Sequence, residues 1–196
     1  YKDYPHLNFH IINANVSRQG LYNKKDLITK WIADTFIEKT FVISYKMYEK
    51  YFREKFQNKT NIILDVNKFP YFGNTKGKND WYECGKMIQI GWNRHSSDDY
   101  LAEFLSLNPE YASLWLKLYE FEMEITEFFI EQMTPDNYGN FSHNEEIYHF
   151  VLQNMVVDLE QEVYRTKIRE FNTYEEVDVY LFVREKEYEI IKSMIA

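Results

Sequence analysis

The run Asn108–Met133, NPEYASLWLKLYEFEMEITEFFIEQM, constrains this chain more than any other stretch. Apolar residues recur at Leu114, Leu118, Phe121, Ile125, Phe128 and Phe129, the spacing that gathers side chains on one stripe of an α-helix. Asn108 is a good N-cap residue. Pro109 suits the first helical position, where its missing N–H goes unused, and Glu110 lies at the positive end of the helix dipole. The stretch predicts one long helix. Outside the apolar stripe it is acidic, with Glu120, Glu122, Glu124, Glu127 and Glu131 against Lys117 alone. A helix with so one-sided a charge raises the question of what it faces.

The same asymmetry runs through the whole chain. Residues 1–100 carry 16 Lys and Arg against 11 Asp and Glu, a net +5, whereas residues 101–196 carry 7 against 20, a net −13. An acidic C-terminal half repels nucleic-acid phosphates and favours basic partners, including the DNA-binding surfaces of other proteins. With 17 Tyr and 15 Phe in 196 residues, the chain has too much aromatic surface to stay disordered. Its 6 Gly and 4 Pro are too few for a loop-rich all-β fold. Cys84, the sole cysteine, excludes an intramolecular disulfide and a thiolate zinc cluster. No apolar run approaches the roughly 20 residues of a membrane helix, and no secretory h-region appears. A cytoplasmic protein that does not enter the membrane is expected. The abundance of Lys, Asn, Ile, Tyr and Phe is in keeping with an AT-rich genome, such as that of a Gram-positive bacterium or its phage.

Read in order, the N-terminal part is mixed. His6–Ile12 alternates, with Leu7, Phe9 and Ile11 on one face, and predicts a strand. A helix follows from Asn23 to about Lys39, with Leu27, Trp31, Ile32 and Phe36 inward. Phe41–Ile43 fits either helix or strand. Ser44 can cap a second helix that buries Tyr48, Phe52 and Phe56. Asn61–Val66 is the clearest strand by composition, and Trp81–Trp92 a strand or a hairpin broken near Gly85. Ser96 and Ser97 with Asp98 and Asp99 open a short helix ending near Leu107.

Everything beyond reads as helical. Thr134–Asn140 breaks the long helix. Ser142 with Glu145 forms a capping-box pattern for a helix to about Phe171, and Thr173 with Glu176 another for a helix to about Met194. The expected fold is α+β and predominantly helical. A small mixed N-terminal lobe with a few strands, residues 1–96 and basic, would join an acidic C-terminal lobe, residues 97–196. The latter would be an antiparallel bundle of three long helices, in one continuous domain with the first lobe or separate from it.

No motif names a reaction. The loop GNTKGK, Gly73–Lys78, is one residue short of a phosphate-binding loop, places Asn79 where Ser or Thr should hold magnesium, and precedes no helix. Glu146-x-x-His149 has the spacing of a di-iron ligand pair, yet the chain contains no second such motif. Glu124-x-x-Glu127 and Glu175-x-x-Asp178 each set two carboxylates one turn apart, as in the magnesium-dependent all-helical nucleotide hydrolases. They lie too far apart in the chain for that family's adjacent helices. His6, His10 and His95 read as surface or hydrogen-bonded structural residues, and Cys84 as a buried one. Lys46, Lys50, Arg53, Lys55 and Lys59 interleave with aromatics that helical spacing assigns to a core.

These observations point to a non-enzymatic protein-binding inhibitor with no cofactor, no metal and no catalytic residues. It is in character similar to phage- or mobile-element-encoded anti-CRISPR, anti-restriction and host-takeover proteins, without a motif that assigns a family. Its acidic helices would act as a decoy on a basic, nucleic-acid-handling host protein, carboxylates standing in for phosphates. The expected contact residues are Glu120, Glu124, Glu127, Glu131, Glu160 and Glu162, with Tyr119 and Tyr164 as anchors. A homodimer is compatible with this reading. The alternatives are a magnesium-dependent nucleotide hydrolase using the helical carboxylates and a nucleic-acid-binding module in the basic lobe.

Overall fold

A computed structural model describes residues 6–118, 130–137, 139–169 and 174–195. Its centre is a four-stranded, wholly parallel sheet in the order β1-β4-β3-β2, formed by Leu7–Asn13 (β1), Thr40–Ile43 (β2), Lys86–Gln89 (β3) and Val177–Val183 (β4). Among the described residues, α-helices span Lys25–Thr35 (α1), Glu49–Phe56 (α2), Ser97–Leu107 (α3), Pro109–Leu118 (α4), Glu145–Val163 (α5) and Glu185–Ile195 (α6). The chain divides into two compact units, residues 1–93 with 156–196, and residues 94–155.

This architecture corrects the expected fold class. There is no antiparallel bundle of three long C-terminal helices, because the segment after Thr173 enters the sheet instead. Val177–Val183 is buried along six of its seven positions, as befits an inner strand covered on both faces. Such strands read as continuous hydrophobic runs, here VDVYLFV, and an i, i+4 selection from such a run imitates a helix stripe. The helix expected from Ser142 to about Phe171 is also shorter: α5 ends at Val163, where Thr166 Oγ1 donates to the Val163 carbonyl.

In the first unit, alternation divides the strand residues between two faces. Val42, Ile88 and Phe182 share a face with Ile28, Ile32 and Phe36 from α1 and its C-terminal boundary, and with Phe52 and Phe56 of α2. Leu27 lies outside this core at 72% exposure; Ile28 takes the inward position expected of it. On the opposite face Phe41 stacks on Trp81, ring centroids 4.6 Å apart, and Met87 is fully buried.

The path between β2 and β3 explains this division. The chain returns along α2, then runs beside β2 as an interrupted fifth strand, where Ile62 bridges to Thr40 and Tyr71 to Ser44, both parallel. Asn61–Val66 is therefore not the continuous strand its composition predicts; a tight hairpin at Asp65–Lys68 breaks the ladder. From that outer edge the chain reverses direction toward β3 and β4. Right-handed crossovers place connections that advance in opposite directions on opposite faces. Accordingly α1 and α2 cover one face, and the returning segment with Trp81 covers the other.

In the second unit, Ser96 caps α3 by accepting from the Asp99 N–H, 3.1 Å, as its sequence predicts. Asn108 Nδ2 donates back to the Phe104 carbonyl, so its side chain closes α3 rather than capping α4. Phe104 meets Tyr111 and Phe150 edge-on, at 5.3 and 5.6 Å. Asn144, not Ser142, caps α5 by accepting from the Ile147 N–H. The central part of the long acidic run, residues 119–129, lies outside the described residues. No helix among the described residues is long and apolar enough to cross a membrane.

Candidate partner-binding surface

The division into units redraws the charge map. Residues 94–155 contain 12 Asp and Glu against Arg94 and Lys117, a net −10, while the unit built on the sheet carries 21 Lys and Arg against 19 Asp and Glu, a net +2. Within the acidic unit, Asp98, Asp99, Glu103, Glu110, Glu131, Glu145 and Glu146 are all exposed. Several of them have a local reason for their place. Asp98, Asp99, Glu110, Glu145 and Glu146 occupy first turns of helices, where the dipole favours a negative charge. Arg94 Nη2 donates to Asn140 at 2.5 Å. Tyr111 Oη donates to Glu146, and that bond pushes the phenol up to about 12.

The contact residues chosen from sequence are spread across the chain. Tyr119, Glu120, Glu124 and Glu127 lie outside the described residues. Glu131 is exposed on the acidic unit. Glu160 and Tyr164 are exposed too, but both belong to the sheet unit, at the C-terminal end of α5. Glu162 faces the fold's own residues. Only 9% exposed, it accepts from Thr75 Oγ1 at 2.7 Å and from Arg165 Nε at 3.0 Å. Burial raises its pKa, and those two donors and the Arg165 charge only partly oppose that. Arg165 Nη1 donates to the Lys78 carbonyl, and Lys78 pairs with the buried Asp65. Glu162 thus pins the loop between α2 and β3 to α5 and is not part of an outer acidic surface.

That loop contains the stretch with a passing similarity to a phosphate-binding loop. Gly73 and Gly77 adopt positive φ, 93° and 75°, as turn residues. Thr75 is fully buried on Glu162 and Lys78 is held by Asp65, so neither is offered to a phosphate.

The other carboxylate pairs have lost their expected geometry. Glu175 and Asp178 do not lie one helical turn apart, because Asp178 is the second residue of β4. Glu175 pairs with Lys167. Asp178 accepts from His10 Nε2 at 2.7 Å and from Lys86 on the other neighbouring strand. Burial opposes its ionisation, but those two hydrogen bonds and the Lys86 charge outweigh burial and hold the carboxyl below its usual range. His10 also stacks on Tyr180, centroids 4.5 Å apart. With its carboxylate already engaged by two donors, Asp178 ties β1, β4 and β3 together. No cluster of three or more His, Cys, Asp or Glu suited to a metal ion occurs among the described residues.

Sequence reasoning missed this His10–Asp178–Lys86 cluster. Its members are 168 and 92 positions apart, and only the strand register brings them together. Recognising VDVYLFV as an inner strand is the one signal that leads to it. Cys84 is fully buried, as expected, and burial raises its thiol to about 12. No family model matches this chain, and no curated protein or solved structure shows significant similarity to it.

Proposed function

We propose that this protein is a non-enzymatic, protein-binding inhibitor of the kind phages and mobile elements encode. In this reading its acidic unit, residues 94–155, docks on the basic nucleic-acid-binding surface of a host protein. One observation carries it: the structural division concentrates a net −10 into 62 residues whose described carboxylates are mostly exposed, whereas the sheet unit is close to neutral. Carboxylates along helix surfaces present acceptor oxygens to the Lys and Arg that otherwise hold phosphates, which favours fast, salt-sensitive association. Glu131 keeps its place among the contact residues. Exposed Asp98, Glu103 and Glu110 join it, and Tyr111, half-buried and held by Glu146, is a suitable anchor.

The test is capture from a bacterial lysate by the full tagged chain, washed at low and then moderate salt. Glu103→Lys and Glu131→Lys together, which shift the unit from −10 to −6 and leave the first-turn carboxylates alone, are the key variants. The proposal expects one stoichiometric nucleic-acid-handling protein, eluted by salt and lost with the double variant. Failure to capture such a protein, or capture indifferent to both salt and charge reversal, overturns it.

A further inference from the structure

The two edges of the sheet are treated differently. Beside β2 the chain covers its own edge with the bridged residues Ile62 and Tyr71. Beside β1 none of the described residues does so. β1 pairs with β4 in parallel register, Leu7 opposite Val177, and the Val177 N–H donates to the His6 carbonyl at 2.8 Å. In a parallel ladder of that phase, His6, Asn8, His10 and Ile12 bond inward to β4, and the N–H and C=O of Leu7, Phe9 and Ile11 point outward. Those six outward groups have no hydrogen-bond partner among the described residues.

Edge strands that remain solitary are usually protected by a lysine, a proline, a bulge or an inward-pointing charge. LNFHIIN has none of these and carries no formal charge with its histidine neutral. A groove of about 610 Å³ borders it, lined by Leu7, Asn8, Phe9 and His10 of β1, by Glu176 and Asp178 at the start of β4, and by Tyr188 and Lys192 of α6. Four consecutive strand residues line that groove, so both pleat faces of β1 border it.

We infer that this edge is a self-association surface whose occupant is β1 of a second copy, paired antiparallel about a two-fold axis through Phe9. The register is dictated by the outward groups. Phe9 exchanges both bonds with Phe9 of the second copy, and Leu7 with its Ile11. On one face this sets Phe9 on Phe9 and Leu7 on Ile11, all half-buried apolar side chains in the single chain. On the other it sets Asn8 opposite His10, a donor and acceptor pair, with no like charges opposed. The two sheets become one of eight strands. An unrelated partner strand satisfies the same backbone groups but has no reason to match this side-chain pattern; the strand's own sequence does.

The test uses the full chain. Sedimentation or light scattering in the micromolar range should give twice the 24.0 kDa chain mass. Ile11→Pro removes an N–H that serves only the second copy, so the variant should run as a monomer with an unchanged far-UV spectrum. Phe9→Cys places two thiols on residues about 5.5 Å apart at Cα, within disulfide reach, and should cross-link on oxidation, whereas Leu7→Cys should not. Buried Cys84 does not compete. A wild-type monomer overturns the inference, as does a dimer that Ile11→Pro leaves intact. A Phe9→Cys chain that stays uncross-linked under oxidation also overturns it, and that readout stands even if the proline variant fails to fold.

Discussion

Val66 sits at φ 42° and Asn67 at φ 64°, the two central positions of a hairpin closed by reciprocal Asp65–Lys68 backbone bonds of 2.8 and 2.7 Å. Positive φ at both positions is the signature of a type I′ turn, which favours Asn-Gly and disfavours a β-branched residue. In the left-handed region the side chain crowds the following carbonyl at a cost of about 1–2 kcal/mol, which Asn largely escapes. Val66 gains nothing in return from burial, being 83% exposed. Val66→Asn should therefore stabilise the protein by about 1 kcal/mol, or about 2–4 °C in Tm for a chain of this size. Urea unfolding followed by tryptophan fluorescence is the assay. Trp81 reports on this region, since its Nε1 donates to the Ile63 carbonyl and its ring stacks on Phe41. The midpoint should rise at constant slope. Val66→Ile, which keeps the β-branch, should leave it unchanged. An unchanged or lowered midpoint for Val66→Asn would show that the turn is not strained as its dihedrals imply.

Gly91, at φ 96°, has no room for a methyl group: a Cβ there would lie 2.4 Å from the Tyr45 ring, whose hydroxyl donates to the Val16 carbonyl. Gly91→Ala should cost at least about 2 kcal/mol from overpacking and backbone strain together, read as a lowered urea midpoint. Cys84 should resist thiol-reactive reagents at pH 8 until denaturant is added, its thiol being buried and raised to about 12; rapid native-state labelling would contradict that. Glu162 has a folded-state pKa above its unfolded value, so the folded state holds the proton more tightly and this residue's contribution to stability falls as pH rises from about 4.5 through the raised pKa. Glu162→Gln should flatten that part of the urea midpoint–pH profile. Asp178 is the opposite case: its stabilisation is full above about 3.8 and is lost as pH falls through the depressed folded value, and Asp178→Asn should remove that acid-side decline.

Local features of the sequence carried over to the structure where their cause was local. The alternation of Leu7, Phe9 and Ile11 gave β1, Ser96 with Asp99 gave the start of α3, and Phe52 and Phe56, with Tyr48 just ahead of them, gave the inward side of α2. The central strand β4 was misread for a physical reason. A strand with both faces covered loses the alternation that identifies it, and its helix-compatible spacing then competes on equal terms. Asn61–Val66 failed in the other direction. Its β-branched composition is right for a strand, but the Asp65–Lys68 hairpin takes up backbone groups that a continuous ladder would need. The contact of buried Thr75 and Glu162 with half-buried Arg165 could not be read at all, because Glu162 looks like any other carboxylate of an acidic helix until the loop 87 positions away is placed beside it.

The misplaced strand also changes the meaning of the charge pattern. Counted along the chain, acidity fills the whole C-terminal half. Once β4 inserts between β1 and β3, residues 156–196 belong with the basic N-terminal segment, and many of their carboxylates acquire internal partners: Asp158 with Asn93, Glu162 with Arg165, Glu175 with Lys167, and Asp178 with Lys86 and His10. Residues 94–155 contain far fewer cationic side chains to balance their carboxylates, one arginine and one lysine against 12 Asp and Glu. Folding thus separates carboxylates that balance the sheet unit from carboxylates left facing solvent. Self-repulsion among the second set opposes compaction of that unit, and a basic partner relieves it. Binding through the acidic unit should accordingly raise its stability most at low ionic strength, where the repulsion is least screened. In hydrogen exchange, added partner should protect residues 94–155 more at low salt than at moderate salt, while protection of β3 and β4 changes little. Equal protection of both units at every salt concentration would place the contact somewhere other than the acidic surface.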